Sequence, residues 1–138
     1  MPDNNIVKVI RETSEFLEEN LPHGFDVSDI DYPNLPFENK NKSKRIRPVW
    51  NNLTTLSTDV LGTYSVVRGI LNLDVIVPKN TGDVQVLEAA EFLRKAFHGH
   101  EFLDLVVEDV LVTPMPEEKD WYMGRVELTY IYEGFNDA

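Results

Sequence analysis

Residues 68–83, "RGILNLDVIVPKNTGD", carry the clearest structural signal in the chain. Leu71, Leu73, Val75 and Val77 are all aliphatic, whereas the positions between them run Ile70, Asn72, Asp74 and Ile76. A period of two belongs to a strand with one buried face, and it points Asp74 away from the main core. Pro78 ends the strand and "KNTGD" turns the chain. From about Asp83 to His98 the period changes: Val86, Ala90, Leu93 and Phe97 form one stripe of a helix. Gly99 is the expected left-handed cap of that helix.

Upstream, between Asp3 and Asn20, the residues Ile6, Ile10, Thr13 and Leu17 recur at three and four, flanked by Val7, Val9 and Phe16. This is one face of a second helix, which Asp3, Asn4 or Asn5 can cap and which Pro22 and Gly24 stop. "FDVSDIDYPNLPF" (25–37) reads as a short extended segment or strand whose prolines suit a sheet edge. Residues 38–47 offer almost nothing apolar to bury and read as a mobile loop. Order is expected to return near Trp50, with a strand over 46–58, and "DVLGTYSVV" turns into the strand of the opening stretch. Downstream, two strands are expected, roughly Phe102 to Thr113 and Trp121 to Tyr132. In the second of them Tyr122, Val126, Leu128, Tyr130 and Tyr132 share a face, and "PMPEEKD" forms the surface loop between the two. No internal repeat is visible in the sequence. The expected fold is α+β: one domain over residues 1–138, a mostly antiparallel sheet of four to five strands covered by two helices.

Composition narrows the class. At 138 residues and 42% hydrophobic, the chain suits a single soluble core rather than disorder, despite a net charge of -11. No apolar run is long enough to cross a bilayer and "MPDNNIVKVI" has no signal-peptide pattern, so the expectation is a cytoplasmic protein without membrane contact. Having no cysteine, the chain makes no disulfide and offers no thiolate for catalysis or metal binding. Twenty-four acids repel phosphates, yet five of the thirteen Lys and Arg residues lie at Lys40, Lys42, Lys44, Arg45 and Arg47, beside the aromatics Phe37 and Trp50.

The chemistry-bearing patterns are sparse. "PKNTGD" lies between strand and helix but lacks the glycines and GK[ST] ending of a phosphate cradle. "HGHEFLD" gathers His98, His100, Glu101 and Asp104, all potential ligands, although a histidine at a helix C-terminus is also favoured by the helix dipole. The serines occupy no nucleophile elbow, and Glu108 with Asp109, adjacent on a strand, are expected on opposite faces. Pro33 and Pro36 form a PxxP, a pattern commonplace in edge segments. These readings favour a protein that is not an enzyme and needs neither metal nor cofactor.

What remains is an arrangement. "YPNLPF", a polar loop into a strand, "RGILNLDVIVPKNTGD" with a helix ending in "FLRKAF", and finally "DWYMGRVELTYIY" together resemble the tail terminator, or tail completion, proteins of long-tailed bacteriophages and prophages, the lambda-type minor tail proteins. The resemblance rests on Pro33, Asn34, Pro36, Phe37, Gly69, Pro78, Gly82, Phe97 and Trp121 and spans about residues 30–132. "KNTGD" carries less glycine than that family often has, and the basic loop more lysine.

The resemblance implies a virion protein at the head-proximal end of the tail, assembled in the host cytoplasm. It would form a ring, commonly a hexamer, that caps the tail tube, ends its polymerisation and joins the head connector or neck. Six copies would carry about -66 of formal charge, so DNA could pass through the channel without specific binding. Lys40, Lys42, Lys44, Arg45 and Arg47 are the expected contacts with an acidic neighbour or the tube, and Asp74 and Arg125 are further candidates for subunit contacts. Three alternatives remain open at this stage: another neck or head-closure protein, a nucleic-acid-binding module using the basic loop, and a small enzyme or ligand-binding domain using His98, His100 and Asp104.

Overall fold

The structure, a computed structural model, describes residues 5–33, 44–58, 64–78, 83–102, 105–114 and 121–135. Two helices, α1 (Asn5–Glu19) and α2 (Asp83–Gly99), and four strands, β1 (Arg45–Thr58), β2 (Tyr64–Pro78), β3 (Leu105–Pro114) and β4 (Trp121–Phe135), follow one another as α1, β1, β2, α2, β3, β4. The strands form one antiparallel sheet in the order β1-β2-β4-β3. The chain is therefore an α+β domain in which each half is a helix followed by a strand pair. The second strands of the two halves, β2 and β4, meet in the middle of the sheet.

The alternation that opened the sequence sets the core. Leu71, Leu73, Val75 and Val77 are at most 1% exposed, and they pair across the sheet with Leu128, Val126, Gly124 and Tyr122 of β4. Both helices cover this face. Val86, Ala90, Leu93 and Phe97 of α2 are buried on it, and Val9, Thr13 and Leu17 of α1 join them. The buried stripe of α1 thus centres on Val9 rather than on Ile10, which is half-buried. Thr13 is tolerated inside because its hydroxyl is used twice, donating to the Val9 carbonyl at 2.7 Å and accepting from Trp50 Nε1 at 3.0 Å. Trp50 thereby ties β1 to α1.

Gly124 lets α2 approach β4. A Cβ at this position would stand 2.8 Å from Val86 Cγ1, closer than side chains pack. At the far end of the helices Phe16, Phe97 and Phe102 meet edge-on or stacked, with centroids 4.8–6.2 Å apart.

Four local expectations are corrected. The 25–37 segment forms no strand in its described part. Asp26 and Asp29 instead close a capping box around a short 3-10 turn, Val27–Asp29, and only Ile30 bridges Ile46, in parallel. The expected loop ends early: Arg45 and Arg47 already belong to β1, and Lys44 precedes it. Gly99 is the last residue of α2 and has no left-handed conformation; Gly24, with φ 88°, has one. A register shift between Val107 and Asp109 breaks the alternation of β3. Of the sequence features named above, the cap candidates Asp3 and Asn4, Lys40 and Lys42 with the rest of 34–43, the turns 59–63 and 79–82, Asp104 and the loop 115–120 lie outside the described residues.

Candidate functional site

The sheet has a second face, turned away from both helices, and three of the expected contact residues meet on it. Pairing places Arg47 of β1, Asp74 of β2 and Arg125 of β4 in one row across the sheet, with Thr113 of β3 next in line. Arg125 Nε donates to Asp74 Oδ1 at 2.7 Å and its Nη2 donates to Oδ2 at 3.1 Å, while Arg47 Nη2 stands 3.5 Å from the same Oδ2. Asp74 does point away from the core, as its place in the alternation requires. It is nevertheless only 1% exposed, because the two guanidinium groups and the pleat close over it.

The electrostatics of the row are asymmetric. Hydrogen bonding to Asp74 raises the Arg125 pKa further above its ordinary value, against a smaller opposing effect of burial. Two cations approach the one carboxylate of Asp74, and the Glu127 carboxylate, two residues along β4 on the same face, also acts on Arg125. Arg125 spends two N–H groups on Asp74, and a guanidinium carries five, so capacity for another acceptor remains. One row up, Arg45, Ile76 and Met123 align. The Arg45 guanidinium lies 5.8 Å from the centre of the Trp121 ring and 3.8 Å from an Asp31 oxygen.

Towards β3 the same face turns apolar and acidic. Val106 and Leu111 are 61% and 52% exposed. The bulge in β3 brings Glu108 to within 3.4 Å of Arg68 on this side, and Asp109 pairs with Thr129 here too. Both acids therefore share one face, contrary to the strict alternation read from sequence.

The other expected residues fall elsewhere. Lys44 Nζ donates to the Gly24 carbonyl and lies 5.2 Å from the Phe25 ring centre, so it fastens the start of β1 to the turn after α1. His100 stacks on Phe16 with centroids 4.2 Å apart and meets Phe102 edge-on at 4.4 Å, an aromatic use of that ring. Among the described residues no three His, Asp or Glu side chains are grouped as metal ligands would be.

A surface that sequence reasoning passed over lies on the opposite side of the molecule. The outward side of α2 exposes Val84 (60%), with Leu87 (42%) and Phe92 (44%) on its two flanks and Glu88, Glu91 and Lys95 between them, around a shallow depression of about 470 Å³. The signal was present in the sequence: α2 carries these apolar residues in addition to its buried stripe, more than one face requires. No protein-family model, curated protein or solved structure matches this chain.

Proposed function

We propose that this protein is a structural component of a long-tailed phage particle: a tail terminator that caps the tail tube as a ring, ends polymerisation and presents the surface to which the head connector joins. The observation that carries the reading is the face of the sheet that, among the described residues, neither helix covers. A face that remained in water would be expected to carry solvated polar side chains. This one instead combines a buried Asp74, held between two partly exposed arginines, with exposed Val106 and Leu111, the mixture of apolar area and arginine found at protein interfaces. The order helix, two strands, helix, two strands also agrees with the arrangement on which the sequence resemblance rests.

Its mechanism is assembly without covalent chemistry. Ring contacts replace the contact between successive tube rings and offer no site for another tube subunit. The partners are further copies of the chain, the tube protein and the head-side connector, and DNA passes through an acidic channel without being held. Assembly takes place in the host cytoplasm, and the finished ring belongs to the virion. Addition of the purified protein to growing tail tubes tests this: tubes stop at a capped end that shows a ring by electron microscopy. Tubes that continue to lengthen at saturating protein would overturn it, and salt-dependent DNA binding lost on neutralising Lys40, Lys42, Lys44, Arg45 and Arg47 would replace it with a nucleic-acid module.

A further inference from the structure

We draw no further inference here: the strongest candidate, the surface patch along the edge strand β3 where Val106 and Leu111 are exposed on either side of Glu108 and Asp109, carries none because nothing in the structure shows what covers it.

Discussion

Among the described residues, Asp74 is the buried charge on the side of the sheet that the helices leave open. Its carboxylate is held by Arg125 through two hydrogen bonds and approached by Arg47, and both arginines keep about a third of their side chains in water. Replacing Asp74 with Asn keeps the shape and removes the charge, leaving two guanidinium groups in mutual repulsion. The expected loss is about 1–3 kcal/mol of unfolding free energy, less than for a fully buried pair because solvent screens the arginines. Urea denaturation of Asp74→Asn against wild type measures it. Tyr130 makes the opposite case. It is fully buried in the described structure and its hydroxyl has no hydrogen-bond partner among the described residues, so Tyr130→Phe is expected to be neutral or to stabilise by up to about 1 kcal/mol. Burial also raises the Tyr130 pKa above its ordinary 10.0, and burial with the Glu18 carboxylate raises that of Tyr32. Because the folded-state values lie above the unfolded one, these phenols contribute stability that is complete below pH 10.0 and is lost as pH rises beyond it. Denaturation midpoints should therefore fall between pH 10 and pH 11, and Tyr130→Phe should lessen that fall; an unchanged slope would show that Tyr130 ionises as freely in the fold as in water.

The elements differ in how plainly the sequence announced them. The strand β2 and the helix α2 were legible because a long run kept one period, two for "GILNLDVIVP" and 3.6 from Val86 to Phe97, and burial of that face is what the fold uses. The 25–37 segment was not, since Asp26 and Asp29 satisfy local backbone groups with their own side chains, and such bonds compete with a sheet ladder. Nor could the site be read as a unit. Arg47, Asp74 and Arg125 are each visible as polar residues on strands, but their meeting depends on the register of β1 on β2 and of β2 on β4, which sequence periodicity leaves open. The bulge that brings Glu108 to Arg68 breaks the very alternation from which faces are inferred. At this scale the close approach of α2 to β4 gives a direct test. Gly124→Ala places a methyl 2.8 Å from Val86 Cγ1, a branched side chain with little freedom to withdraw, and about 1–3 kcal/mol of stability should be lost. Thermal melts of Gly124→Ala, alone and with Val86→Ala, check the cause: the second substitution should restore part of what the first removes.

For the whole molecule, the central proposal is that an acidic domain of net charge -11 associates with copies of itself. Long-range repulsion keeps such chains apart in dilute solution, so association must draw on local surfaces where apolar area and opposite charge coincide. On the proposed reading, the side of the sheet turned away from the helices, with Arg47, Arg125, Val106 and Leu111, is one such surface. That arrangement suits a ring that forms where a tube end concentrates the subunits. The most direct measurement is mass by light scattering over a wide concentration range, paired with electron microscopy of the same samples with and without tail tubes. The expected result is closed rings of one subunit number, at high concentration or on tube ends, in equilibrium with the 15.9 kDa monomer. A protein that stays monomeric at every concentration and leaves tube ends bare would contradict it.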